Sequence, residues 1–118
     1  MNPATAAQLD TDGVVDFTAE LVRLPSVLGN ERDVADAVVR RMRTLGFDEA
    51  GIDEVGNAVG VVRGARPGPT IVFDGHVDTV DVMPRDAWQH DPFGAEIEDG
   101  RMYGRGTSDM KGAVAAMV

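Results

Sequence analysis

Apolar residues near the start of the chain recur every three or four positions, the spacing of one face of an α-helix. Thr11 or Asp12 is a candidate cap for this helix, because a short polar side chain can accept a hydrogen bond from a free backbone N–H. Pro25 has no N–H with which to continue the helix, so we expect it to end there. The apolar positions that predict this helix are Val14, Phe17, Leu21 and Leu24.

A second helical stripe follows after a short polar break. Asn30 is its candidate cap, Asp33 falls in the first turn, and Gly46 provides the exit. We expect the stripe to pack into the core and not to hold a cofactor. Its members are Val34, Val38, Met42 and Leu45.

The middle of the chain changes to short apolar runs separated by turn residues. Residues 52–55 and 58–62 predict two strands around Gly56-Asn57. Residues 70–73 form an uninterrupted β-branched and aromatic run after Pro67-Gly68-Pro69, which predicts a buried central strand.

The last third predicts a hairpin and a helix. Asp99-Gly100 lies between residues 94–98 and 101–103, and this dipeptide is typical of a type I′ turn. The small and apolar residues 110–118 suit a buried helix. Helices that alternate with short strands indicate an α/β architecture.

Composition is that of an ordinary globular domain, with 43% hydrophobic and 26% charged residues. The formal net charge of -9 argues against nucleic acid and against an anionic membrane surface, which both attract basic patches. The absence of cysteine excludes disulfides and thiolate metal sites, so a cytoplasmic location is the default expectation. Neither a secretory signal nor a run of apolar residues long enough to span a membrane is visible.

His76 follows the predicted strand directly, and Asp78 comes two positions later. Ligands of open α/β sheets bind beyond the carboxyl ends of the strands. Residues two apart in an extended chain share a face, and a carboxylate there can fix the tautomer of a metal-binding imidazole. The alternative is that the two residues belong to an ordinary surface turn.

Asp109 is the second candidate for metal chemistry. It follows the glycine-rich stretch Gly104-Arg105-Gly106 and precedes the predicted last helix. A carboxylate at that position is ordinarily a helix cap, which remains the alternative. Gly104-Arg105-Gly106 is not a dinucleotide fingerprint, because the third glycine is missing and the segment before it is a hairpin arm.

In this order, the motifs resemble those of the M20 metallopeptidase family. That family includes aminoacylases, acetylornithine deacetylases, succinyl-diaminopimelate desuccinylases and related dipeptidases and carboxypeptidases. The similarity spans nearly the whole chain. The motifs concerned are Leu21-Val22-Arg23-Leu24-Pro25-Ser26-Val27, Asp53-Glu54-Val55-Gly56-Asn57, Gly75-His76-Val77-Asp78, Trp88-Gln89-His90-Asp91-Pro92-Phe93, residues 99–106 and Asp109-Met110-Lys111-Gly112.

The resemblance implies a role for each candidate residue. His76 would bind one zinc ion, Asp109 would bridge two zinc ions, and Asp78 would act in catalysis by orienting His76. Two Zn²⁺ ions would fill the complete site, with Co²⁺ or Mn²⁺ as alternatives. The resemblance also implies a cis peptide bond between Asp109 and Met110, and a zinc-exopeptidase-like fold with a mixed sheet and flanking helices.

The family's catalytic glutamate and its remaining metal ligands come after the bridging aspartate. Glu96 and Glu98 precede Asp109 and cannot take those roles. We therefore expect residues 1–118 to be an N-terminal fragment, one partial catalytic domain without the remainder of that domain or the smaller dimerisation domain.

The resemblance implies a two-zinc hydrolase that cleaves amide bonds of N-acyl amino acids or short peptides. The complete enzyme would take a small-molecule amide or peptide as substrate, and a homodimer is one assembly that the resemblance allows. We expect the isolated fragment to be inactive. The alternative function is a non-catalytic module that binds metal or a partner.

His90 is the other histidine of the chain. Its neighbours Gln89, Asp91 and Pro92 are typical of a solvated loop, so we predict a structural role for it and not metal binding. The neighbouring aromatic residues Trp88 and Phe93 are predicted to pack beneath this loop.

Overall fold

The computed structural model describes residues 9–118. Within them the chain forms three helices and two small antiparallel sheets, which confirms the predicted α/β class. A 3₁₀ turn at Arg85–Ala87 and a helical turn at Thr107–Lys111 complete the regular structure. The elements are α1 (Thr11–Val22), α2 (Arg32–Thr44), β1 (Glu49–Ile52), β2 (Ala58–Val61), β3 (Glu96–Glu98), β4 (Arg101–Tyr103) and α3 (Gly112–Met117).

Helix α1 begins one residue earlier than either predicted cap allows. Asp10 is the N-cap, and its carboxylate accepts a hydrogen bond of 2.9 Å from the backbone N–H of Gly13. Thr11 and Asp12 therefore lie inside the first turn. The helix ends at Val22, before Pro25.

Helix α2 has the predicted apolar face but a different start. Glu31, not Asn30, occupies the cap position, and it makes no side-chain capping bond. Val34, Val38 and Met42 are buried as predicted. Leu45 is 49% exposed, because it lies just beyond the last helical residue.

The first hairpin is shifted along the chain relative to its prediction. Residues 53–57 form the turn and not a strand, because the Asp53 carboxylate accepts hydrogen bonds from the backbone N–H groups of Val55 and Asn57. Strands β1 and β2 pair with Ile52 opposite Ala58.

The second hairpin is confirmed in type. Asp99 and Gly100 have φ angles of 50° and 74°, the two positive values that a type I′ turn requires. Strands β3 and β4 pair with Glu98 opposite Arg101.

The prediction of a buried central strand at residues 70–73 is wrong for this structure. No strand of the described residues includes this segment, and Ile71, Val72 and Phe73 are 76%, 80% and 73% exposed. A strand needs neighbours for its backbone N–H and C=O groups, and none of β1 to β4 lies beside this one. The only pairing near it within residues 9–118 is an isolated parallel bridge between Val27 and Thr79.

The main core lies where α1, α2 and α3 meet. Helix α1 packs against α3, while α2 covers one side of the β1–β2 hairpin. No helix formed by residues 9–118 combines the length and apolar character needed to traverse a membrane. The buried residues of this core are Phe17, Leu21, Val34, Ala37, Val38, Met42, Val114 and Ala115.

Candidate metal site

The structure brings His76 and Asp109 together from segments 33 positions apart. The Nε2 atom of His76 lies 3.0 Å from Oδ1 of Asp109. His76 is in the segment without regular secondary structure that follows residues 70–73, and Asp109 is in the turn Thr107–Lys111 that leads into α3. Asp109 interrupts that turn with φ of -137° and ψ of 88°, so its side chain leaves the helical path.

Asp78 contacts the other nitrogen of the same ring. The Nδ1 atom of His76 lies 3.1 Å from the backbone oxygen of Asp78 and 3.2 Å from its Oδ1. An oxygen at this position holds a proton on Nδ1 and fixes the ring plane, which leaves Nε2 facing Asp109.

The three side chains are open to solvent. Those of His76, Asp78 and Asp109 are 45%, 43% and 88% exposed. The hydrogen bond to the backbone oxygen of Asp78, more than the bond to Asp109, raises the pKa of His76 above its usual range. Both ring nitrogens therefore have an oxygen acceptor, the arrangement that a protonated imidazole prefers.

The distance between Nε2 and Oδ1 is compatible with two ligands of one metal ion. Bonds of about 2.0 to 2.2 Å to a tetrahedral zinc place neighbouring donor atoms roughly 3.4 Å apart. The observed 3.0 Å needs only a small outward shift once a cation replaces the proton between them. Imidazole nitrogen and carboxylate oxygen are also donors that zinc accepts.

Two donors do not make a closed site. Among residues 9–118 there is no group of three or more His, Cys, Asp or Glu side chains arranged around one metal position. Asp78 does not add a third donor, because it faces the opposite side of the ring. The assignment of His76 and Asp109 as metal ligands, and of Asp78 as a catalytic residue, stays a prediction.

Met110 contacts the backbone of His76. Its Sδ atom lies 3.4 Å from the backbone nitrogen of His76. A Cβ atom at Gly75 would be only 2.9 Å from Cε of Met110, so the absence of a side chain there admits the thioether. The Asp109–Met110 peptide bond is cis, as the sequence resemblance implied.

Two buried polar residues beneath this pair escaped the sequence analysis. Lys111 is fully buried, and its Nζ donates to the backbone oxygens of Leu21 at 2.9 Å and Leu24 at 2.7 Å. Burial lowers the pKa of Lys111 to about 8, so the ammonium remains mostly protonated at neutral pH. Ser26 is also fully buried and donates to the backbone oxygen of Val77 at 2.7 Å. Both residues lie in motifs that resemble the M20 family, and Lys111 is the single lysine of the chain, but neither signal indicated their burial or these bonds.

His90 has a separate set of partners, in agreement with its predicted structural role. Its Nδ1 lies 2.8 Å from Oε2 of Glu96, and its ring stacks on Tyr103 with centroids 3.9 Å apart. Gln89 and Asp91 are exposed, as a solvated loop predicts, whereas Pro92 is buried and the side chain of His90 is only 24% exposed because of this stacking. The indole of Trp88 donates to the backbone oxygen of Val82 and lies beneath Arg105.

Comparison with known proteins places this geometry in a family. The model of peptidase family M20/M25/M40 matches residues 72–118, a stretch that includes His76, Asp78 and Asp109. The chain is 44% identical over 106 residues to a succinyl-diaminopimelate desuccinylase of Cereibacter sphaeroides. Similar enzymes of Stenotrophomonas maltophilia and Hahella chejuensis are 41% and 37% identical.

These alignments cover most of this chain and a minor part of each relative. They include 88% of the chain for the Cereibacter and Hahella proteins and 89% for the Stenotrophomonas protein. The chain spans about 28% of the length of the Cereibacter relative. The ordered motifs, the matched stretch and these identities show that the chain belongs to the peptidase family M20/M25/M40.

Proposed function

We propose that this chain is the N-terminal part of a two-zinc hydrolase that removes an acyl group from the nitrogen of an amino acid. The observation that supports it most directly is the 3.0 Å approach of His76 Nε2 to Asp109 Oδ1 inside the stretch that matches the family. The names of the relatives favour a succinyl group on a diamino acid as the amide to be cleaved. Other N-acyl amino acids and short peptides form the wider class of substrates.

In this proposal each of the three side chains has one task. His76 presents Nε2 to one ion, while Asp78 keeps the proton on Nδ1. Asp109 offers two carboxylate oxygens, and its exposure leaves both accessible to ions about 3.5 to 4 Å apart. His76 and Asp109 would hold the zinc, and the chemistry that zinc would supply there is polarisation of the amide carbonyl and a lower pKa, near 7, for a bound water molecule.

The remaining groups would come from the part of the relatives that this chain does not span. By the family resemblance, a glutamate would take a proton from the attacking water as the water oxygen bonds to the acyl carbon. It would return that proton to the leaving nitrogen as the carbon–nitrogen bond breaks. A cytoplasmic enzyme that works as a monomer or homodimer, with a small-molecule substrate, is compatible with this proposal.

A chimera tests the proposal directly. The segment of the Cereibacter sphaeroides desuccinylase that aligns with this chain is replaced by the matching residues of this chain, and the product is called the chimera below. We expect zinc-dependent release of succinate from an N-succinyl diamino acid, and loss of both zinc and turnover in the Asp109→Ala variant. Asp86→Ala is the matched control, because Asp86 is an exposed carboxylate in the 3₁₀ turn Arg85–Ala87, outside the candidate site.

Two outcomes of this experiment contradict the proposal. A chimera that folds but binds no zinc would show that His76 and Asp109 are not ligands. If the chimera binds zinc and does not hydrolyse the N-succinyl diamino acid, the second candidate function applies, a metal-binding module without catalysis.

A further inference from the structure

Residues 21–27 comprise the last part of α1 and the turn after it. They are hydrogen-bonded to both segments of the candidate site, the one that contains His76 and Asp78 and the one that contains Asp109. We call them the anchor segment. The backbone oxygens of Leu21 and Leu24 accept hydrogen bonds from Lys111 Nζ. The side chain and backbone of Ser26 bond to the strand-like stretch that follows His76. The anchor segment is therefore bonded to both donor segments.

Lys111 fixes the half that contains Asp109. Its backbone N–H donates to the oxygen of Gly106 at 2.8 Å, which closes the turn around Asp109. Its side chain runs inward past Gly106, where a Cβ atom would lie 3.4 Å from Lys111 Cδ. A fully buried ammonium is costly unless it is hydrogen-bonded, so the two carbonyl oxygens that accept from Nζ hold it at a defined depth.

Ser26 fixes the half that contains His76 and Asp78. Its hydroxyl donates to the oxygen of Val77, the residue between them. Its own backbone oxygen accepts from the N–H of Thr79 at 2.8 Å. Bonds on both sides of Asp78 leave this stretch little freedom to slide along the anchor segment.

We propose that Ser26 and Lys111 are positioning residues, which together set the separation of His76 Nε2 and Asp109 Oδ1 for metal binding. This inference rests on the proposed metal site and deepens it. Neither side chain reaches the donor atoms, so each acts through backbone that it holds. Partners that orient metal ligands typically affect metal affinity or activity by about 10- to 100-fold.

The test measures zinc affinity in the chimera with Ser26→Ala and Lys111→Met. The zinc bound per molecule is determined by elemental analysis at several buffered concentrations of free zinc, and kcat and KM are measured alongside. We expect the zinc affinity of each variant to fall at least about 10-fold, with activity recovering as free zinc is raised. Recovery by excess zinc would not occur if the variants merely unfolded.

Thr18→Val is the matched control. Thr18 is likewise a buried hydroxyl bonded to a backbone oxygen, that of Val14 at 2.8 Å, but its bond stays within α1. Its zinc affinity should equal that of the unmodified chimera. Near-ultraviolet circular dichroism of Trp88 verifies that each variant is folded before zinc is added.

The outcomes separate this inference from the proposed function. If the unmodified chimera binds zinc and the Asp109→Ala substitution abolishes zinc binding, the proposed metal site is supported. Folded Ser26→Ala and Lys111→Met variants that then keep full zinc affinity overturn the positioning role. Should Lys111→Met not fold, Ser26→Ala decides alone. An unmodified chimera without zinc overturns the metal site, and the positioning role with it.

Discussion

At the scale of single residues, the candidate site combines one exposed carboxylate with one imidazole held from both sides. Asp109 is 88% exposed, while the ring of His76 is fixed by oxygens at both nitrogens. Their contributions to a metal site should differ for that reason. A carboxylate shared by two ions affects both, whereas an imidazole affects one.

In the chimera, we expect Asp109→Ala to be the most damaging substitution, followed by His76→Ala and then Asp78→Ala. Loss of Asp109 leaves two cations about 4 Å apart with less negative charge between them. Loss of Asp78 should cost about 10- to 100-fold, because it only orients the ring. Metal content and kcat/KM measured together test the order. An Asp109→Ala chimera with both zinc ions and near-normal turnover would show that the bridging role is wrongly assigned.

At the scale of elements, the β1–β2 hairpin depends on a close approach to α2. A Cβ atom at Gly60 would lie 2.5 Å from Sδ of Met42 and 2.8 Å from Cδ1 of Phe47. Gly51 lies on the paired strand β1, opposite Val59, and a Cβ atom built there would have nothing within 4 Å. The hairpin therefore has space for a side chain at Gly51 but not at Gly60.

Gly60→Ala should destabilise the protein by about 1 kcal/mol, because Met42 and Phe47 must shift to admit the methyl group. Gly51→Ala, the control, should be neutral or slightly stabilising, since it only reduces the freedom of the unfolded chain. Urea denaturation followed by circular dichroism measures both. Equal stability of the two variants would contradict the packing of β2 on α2.

The turn of the same hairpin should be sensitive to pH. Hydrogen bonds from Asn57, the largest cause, hold the pKa of Asp53 below its usual value. A lowered pKa in the folded state adds stability above the unfolded value of about 3.9, and this stability is lost as the pH falls through the folded value. The melting temperature of Asp53→Asn should therefore lie below that of the parent at pH 6, and the two should converge under strongly acidic conditions. Glu54→Gln, which changes an exposed neighbouring carboxylate, is the control.

Local chemistry decides which elements the sequence could predict. The Asp99-Gly100 hairpin was predictable because positive φ angles are a property of those two residues. The buried strand predicted at residues 70–73 does not form, because such a strand depends on neighbouring strands and none of the described residues supplies them. Of the site, His76, Asp78 and Asp109 could be named, whereas the bonds of Lys111 end 90 and 87 positions away.

At the scale of the whole molecule, Ile71, Val72 and Phe73 form a run of three consecutive large apolar side chains that are exposed to solvent. An apolar β-prone segment with unpaired backbone groups can pair with another chain. We expect the isolated chain to self-associate, and a triple substitution of these residues by Thr, Thr and Ser to reduce this association. Sedimentation velocity measures it. The control is Leu28→Thr with Val55→Thr, which removes exposed apolar side chains elsewhere.

The isolated chain should have no appreciable amidase or peptidase activity. Its described residues present two metal donors, and general acid–base catalysis, which typically contributes about 10² to 10⁴-fold, would need a base supplied from elsewhere. Turnover of N-succinyl and N-acetyl amino acids and of dipeptides by the purified chain measures this. Chelator-sensitive hydrolysis would refute the expectation and require a base within the chain.

The position of the anchor segment also has a consequence for the order of folding. The bonds of Lys111 join residues 90 and 87 positions apart, and that of Ser26 spans 51. Closing such long loops costs chain entropy that local contacts do not offset. The donor atoms of His76 and Asp109 should therefore meet only after α1 has docked with the far end of the chain. Metal binding by His76 and Asp109 would therefore be a late step of folding. Metal uptake would report that the long-range contacts of the chain have formed.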